Sequence, residues 1–306
     1  MKSKLQKFKE SYFLYSFKRD MVAISSFTIL VIFLGLALTA PWISPMNPYD
    51  SANIDIMNSE IPPMWMEDGI REFPLGTDNQ GRDMLSTMLY GLRTSIIIGL
   101  GAVSLQGIIG IVVGLLAGYM GGKTDAILMR FADIQFSFPY LMVAIFLSAI
   151  FQVMFGLGSF ERLAIPLLTI IIGLSNWPMF ARTIRASVMG EKNKEYVEAA
   201  KVIGLPKWTI MFRHILPNSL TSVMVIATIQ VANAVMSEAA LSFLGLGMPV
   251  TKPSLGSLIR AGQEFFFSGS WWITVFPGIW LVIFVLVINL LGDWLRDVLN
   301  PKLYKG

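Results

Sequence analysis

The sequence predicts an all-α protein that crosses a lipid bilayer six times, on three observations. Hydrophobic residues fill 54% of its 306 positions and charged residues only 14%, against about 25% charged in an ordinary soluble domain. Six uncharged runs have about the length, roughly 20 residues, that a helix needs to cross a ~30 Å hydrocarbon core. Lys and Arg are distributed unevenly: with the N-terminus inside, 18 of the 24 fall on the inner side.

The first run, Met21–Ile43, follows a basic segment, 1–20. It is too long for a signal-peptide core, and Pro41 after Ala40 is a poor cleavage context, so it is read as a retained anchor. The stretch 44–92 is read as an outer loop. It carries Pro45, Pro48, Pro62, Pro63 and Pro74, which disfavour long helix, and eight acidic residues from Asp50 to Asp83. A loop of this length is expected to serve contact with an external partner or to cap the mouth of a channel.

Residues 93–292 form the expected membrane core. Its runs are Ser95–Met120, Ile134–Phe160, Leu163–Ala181, Ile215–Ser237 and Phe265–Leu291. Lipid leaves no water for open backbone groups, and the alternation of barrel strands is missing, so all are read as helices. Only Glu161 and Arg162 separate the middle pair, with Gly156, Gly158 and Ser159 as expected breakers. The segment 293–306 is an inner tail, and both termini are expected inside.

Cysteine is absent and there is a single histidine, His214. Thiol nucleophiles, Cys-ligated metals and His clusters are thereby excluded. No catalytic set and no metal site is expected, and the basic residues lie in membrane-flanking loops, so nucleic-acid binding has no support. Ala117–Thr124 fits a loose P-loop pattern, yet it follows a membrane helix rather than a strand of an α/β domain. It reads as a tight inner turn, and no nucleotide binding is expected of it.

The most informative stretch is the polar inner loop 186–215. Asn193 is a plausible N-cap with Glu195 in the first turn of a helix through Ile203. Gly204 suits the left-handed position that ends a helix. Pro206 would open a second short helix through Arg213, and Pro217 the next membrane helix. Ala199 and Ala200 present little side chain to an approaching surface, and Glu198 offers a carboxylate.

Glu198-Ala199-Ala200, then Gly204, Leu205 and Pro206, then Leu216-Pro217 resemble the EAA loop of permease subunits in binding-protein-dependent ABC importers. Three further segments resemble the second permease type of dipeptide and oligopeptide importers. They are Pro74–Asp83, Ala117–Gly122 and Glu238–Gly247, with Phe276-Pro277-Gly278 and Asn289–Asp293 beyond. His214 stands where the general pattern has an apolar residue, and this variant resembles the peptide branch. The resemblance implies the type I ABC importer permease fold in a bacterial inner membrane. It implies a peptide pore shared with a homologous permease as a heterodimer. Two ATPase subunits would hold ATP and Mg and dock on the EAA loop, and a periplasmic solute-binding protein would deliver the substrate. This chain would bind no cofactor and would not be an enzyme. Nickel, glutathione or another small solute, and a self-contained secondary transporter, are the alternatives.

Ionisable groups at membrane depth are functional candidates. Arg130 and Asp133, three apart on one helix, are expected to pair. Glu238, behind Gln230 and Asn233, could face a pore or gate, or cap a neighbouring subunit's loop.

Overall fold

The computed structural model describes residues 12–50 and 54–299. Expectations for 1–11, 51–53 and the tail from 300 lie outside the described residues. The order of elements is α1 (Tyr12–Arg19), α2 (Met21–Ile43), α3 (Met84–Met120), α4 (Gly122–Ser137), α5 (Tyr140–Phe155), α6 (Leu157–Glu191), α7 (Glu195–Val202), α8 (Lys207–Phe243), α9 (Leu255–Gln263) and α10 (Trp272–Leu299). Among the described residues α2, α3, α6, α8 and α10 are long and apolar enough to span a membrane. The sixth expected span is a broken one: α4 and α5 meet at 81° and count as one crossing only together.

The break has a local cause. Phe138 precedes Pro139 and is held extended at ψ 132, because the proline ring disfavours helical geometry in the residue before it. The following reversal is made by Gly156 alone, at φ +76. Glu161 and Arg162, expected in that turn, lie inside α6.

α3 and α6 form the most extensive helix pair. Gly110, Gly114 and Gly118 recur every four residues, so they share one face of α3. A Cβ at Gly110 would strike Phe180, one at Gly114 the Ala181 carbonyl, and one at Gly118 Val188. The small stripe lets the two backbones touch, which is how membrane helices pack without a hydrophobic drive between them.

α3 starts at Met84, so the last nine residues of the segment 44–92 are helical. The Asp83 carboxylate caps the helix, accepting from the Ser86 N–H at 2.7 Å. Residues 54–83 are irregular apart from one 3-10 turn, Ile56–Asn58, as the prolines dictate. They are fastened to the helix ends by polar contacts. Arg82 pairs with Asp78 at 2.7 Å, both side chains buried, and donates to the Val250 carbonyl at 2.9 Å. The Trp272 indole N–H donates to the Thr77 carbonyl at 3.0 Å, and Ser270 to Glu60 at 2.6 Å.

α2 packs on α3 and α10, with Phe33 stacked on Phe284 at 5.9 Å. α1 sets Phe13 and Phe17 against Trp294. α8 is one continuous rod in which Ile210–Ile215 is wound as a π-helix. Pro217 falls, as expected, in the first turn of the α-helical stretch Leu216–Phe243, which continues directly from the π-wound turn. It lacks an N–H and its ring crowds the carbonyl four residues back, and the widened turn just before it absorbs both defects.

Candidate functional site

The α6–α7–α8 connection is an ordered, largely exposed helical turn. α7 lies outside the long apolar helices and is bound to them by one face. Val197 and Ala200 are buried in the main core cluster with Ile210, Met211 and Ile215, and Leu205 and Leu216 pack against it. Glu198 and Ala199 face outward. Of the alanine pair only Ala199 is open to another surface, because consecutive helical positions point about 100° apart. Around the turn Val202 is 88% and Ile203 75% exposed, and Pro206 and Trp208 are also open.

The turn closes as a Schellman motif. Gly204 sits at φ +82. Its N–H donates to the Lys201 carbonyl at 3.0 Å, and the Leu205 N–H reaches back to the Ala200 carbonyl at 3.1 Å. At the other end the cap position belongs to Lys194, not Asn193, and no side chain caps the helix. Glu195 does lie in the first turn. Pro206 occupies the cap position before α8 rather than its first turn.

Tyr196 ties the three helices together, and sequence reasoning missed it. Its hydroxyl donates to the Glu191 carboxylate at 2.6 Å and accepts from the Asn218 amide at 3.2 Å. Asn218 also donates to the His214 carbonyl at 2.8 Å. Burial, and then the bond to Glu191, push the Tyr196 hydroxyl above its ordinary value, so it stays a protonated donor. Glu198 pairs with Lys201 at 2.7 Å on the open face.

The polar groups at membrane depth fall in two sets. Asn233, exposed on α8, donates to Gln230 at 2.8 Å, and buried Gln230 donates to Gln106 at 3.3 Å. Gln106 in turn donates to the Ile172 carbonyl of α6 at 3.1 Å. This amide chain runs from the core to an open face, and only Asn233 reaches that face. Glu238 is 0% exposed. Ser95 and Ser242 donate to its two oxygens at 2.7 and 2.6 Å, and Ser242 contacts Ser254 at 3.3 Å. It thus joins α3, α8 and the start of α9.

Asp133 pairs with Arg182 of α6 at 2.6 Å, not with Arg130. Ala132 and Ala181 are buried together in one cluster, which brings the next positions, 133 and 182, side by side. Asp125 and Arg185 form a second bridge between α4 and α6, at 2.5 and 2.6 Å. Ala117–Thr124 is a tight turn, with Gly121 at φ +64 and Gly122 at φ +54.

Residues 110–305 match the family described as binding-protein-dependent transport system inner membrane component, and 11–63 match the N-terminal TM domain of oligopeptide transport permease C. The chain belongs to this permease family. It is 35% identical over 291 residues to the di/tripeptide transport system permease protein DppC of Pseudomonas aeruginosa (strain UCBPP-PA14), covering 95% of this chain and 91% of that protein. The dipeptide permease DppC of Escherichia coli (strain K12) is 38% identical, over 95% and 92%. The oligopeptide permease OppC of Haemophilus influenzae (strain ATCC 51907 / DSM 11121 / KW20 / Rd) is 37% identical, over 94% and 86%. An inward-facing structure of the MetNI methionine ABC transporter, in its CY5 native crystal form, superposes with a TM-score of 0.54 at 22% identity. It covers 70% of this chain and 97% of its own, and shows the shared fold. The permease is therefore a polytopic membrane subunit of the type I ABC importer fold.

In this permease the Pro74–Asp83 motif has a structural meaning that its sequence alone did not reveal. It supplies Asp78, Arg82 and Asp83, whose contacts fix the outer segment to α3 and to the loop before α9. The Gly81 in its middle, at φ +78, is the signal that a tight turn was present.

Proposed function

We propose that this permease forms half of a peptide-conducting pore, with a homologous permease as the other half. α7 is its mechanical link to ATPase subunits, which hold the nucleotide and Mg. The relatives' names support the peptide assignment. The observation that carries the coupling role is the construction of the α7 turn. An exposed helix is locked by a Schellman turn and a tyrosine clamp onto α8, a rod that runs unbroken to Phe243. A push on Glu198, Ala199 or the apolar Val202–Ile203 shoulder is passed to α8 as a rigid body, and coupling requires such differential contacts in two states. Both termini and α7 lie on the cytoplasmic side by the Lys/Arg distribution. The outer segment, with Ile56, Met57 and Trp65 exposed, serves the periplasmic binding protein. Asn233, held by the buried amide chain behind it, supplies a polar group to the lining of the pore.

The test is peptide-dependent, binding-protein-stimulated ATPase of the reconstituted importer. Glu198→Trp should abolish most of the stimulation. Full stimulation in that variant would sink the coupling role, and transport by this chain without ATPase subunits would sink the subunit reading.

A further inference from the structure

A cavity of about 510 Å³ lies between the α3–α4 turn and the α7–α8 turn. Three ammonium side chains line it: Lys192 after α6, Lys201 on α7 and Lys207 at the start of α8. Thr124, in the first turn of α4, and Met120, at the end of α3, complete the part that matters. We infer that this cavity binds a phosphate-type anion, either the headgroup of an acidic phospholipid or free inorganic phosphate.

The charges argue for it. Three cations around one small volume repel each other unless an anion sits among them. The nearby carboxylates balance them only in part. Glu198 pairs with Lys201 at 2.7 Å from the open face, and Asp125, bonded through both oxygens to Arg185, lies within electrostatic reach of Lys192, so an anion would meet Lys207 and the remaining ammonium hydrogens of the other two. Lys192 is already placed: its ammonium donates to the Gly118 carbonyl at 3.0 Å, at the negative end of α3, and keeps its other hydrogens for a ligand. α4, a helix of 16 residues, begins at the cavity with no side-chain cap at Gly121. Its positive end, which also carries Asp125 in the first turn, adds to the lysines.

The surroundings favour the lipid source. The cavity opens where the long apolar helices end, and Met120 on its wall is 55% exposed, with Ile127 of α4 and Trp208 of α8 also open nearby in the chain. A cationic pocket with an apolar flank fits a headgroup above an acyl chain. A bound anion would join α4 to α7 and the start of α8, across the turn proposed to carry coupling. In that respect the inference rests on the reading above, but the binding measurement does not.

The experiment is calorimetric titration of the assembled importer in detergent with dioctanoyl phosphatidylglycerol, dioctanoyl phosphatidylcholine and inorganic phosphate. Saturable binding of phosphatidylglycerol but not phosphatidylcholine is expected, weakened roughly tenfold or more in K201Q/K207Q and retained in K201R/K207R. Phosphate binding lost in the same Gln variant would support the site with a soluble source. Equal binding of both lipids, binding unchanged in K201Q/K207Q, or no binding of phosphatidylglycerol or phosphate would overturn it. So would carbodiimide cross-linking of Lys201 or Lys207 to a partner subunit's carboxylate, which would assign the lysines to that interface.

Discussion

The Leu205 N–H donates to the Ala200 carbonyl at 3.1 Å, and that bond sets the angle at which α7 leaves α8. It exists only because Gly204, between them, stands at φ +82. Nothing lies within 4 Å of where a Cβ on Gly204 would be. A side chain there meets no neighbour, so the cost of substitution is conformational alone. Gly204→Ala should destabilise the turn by about 1–2 kcal/mol, and Gly204→Asn should recover part of that loss. Thermal unfolding of the purified complex and stimulated ATPase should rank the variants in the order Gly, Asn, Ala. Equal values for all three would show that the turn geometry does not matter.

The Tyr196 clamp gives a pH signature. The folded-state pKa lies above the ordinary tyrosine value of about 10, so the native loop holds this proton more tightly than an unfolded one. Its stabilisation is complete below pH about 10 and is lost as pH rises through the folded value. Tyr196→Phe removes one solvent-exposed hydrogen bond to a carboxylate, worth about 0.5–1 kcal/mol after screening, and should loosen α7. A spin label on Ala199→Cys, possible in a chain without cysteine, should report extra mobility in the variant at pH 8. The wild type should approach the variant above pH about 10. Equal mobility at both pH values would contradict the clamp.

Much of this architecture was legible in the sequence, and the parts that were not share a cause. The bounds of α2 are those of its uncharged run, because Asp20 sits at its start as a cap: its side chain accepts from the Ala23 N–H at 3.0 Å. Gly204 was legible because a single backbone conformation there favours glycine. The α4–α5 break was not, since hydropathy counts apolar residues without reporting direction, and Phe138-Pro139 sat unread inside the run. The partner of Asp133 was not, since spacing ranks neighbours on one helix and cannot see α6. The full burial of Glu238 was not, since its serine partners lie 143 positions upstream, at Ser95, and 4 downstream, at Ser242. Burial of that kind is set by tertiary packing.

The outer segment makes a different demand. Arg82 and Asp78 are both buried, with 2% and 0% side-chain exposure. Removing one partner of such a pair strands a charge, at a cost of about 3–5 kcal/mol. Arg82→Ala should therefore release residues 54–83 from α9 and α10 and lower the thermal midpoint of the complex. The double variant Arg82→Met with Asp78→Asn should be milder, because no bare charge remains. If the single and double variants unfold alike, the pair contributes nothing specific.

The orientation of α7 separates its two alanines, Ala199 outward and Ala200 4% exposed against the core. Single cysteines at these positions, cross-linked in the assembled importer with a short bifunctional thiol reagent, test the coupling role most directly. Ala199→Cys should cross-link to an ATPase subunit carrying a cysteine in its docking cleft, and nucleotide should change the yield, whereas Ala200→Cys should not react. Cross-linking from Ala200→Cys but not Ala199→Cys, or from neither, would contradict α7 as the surface through which the ATPases act.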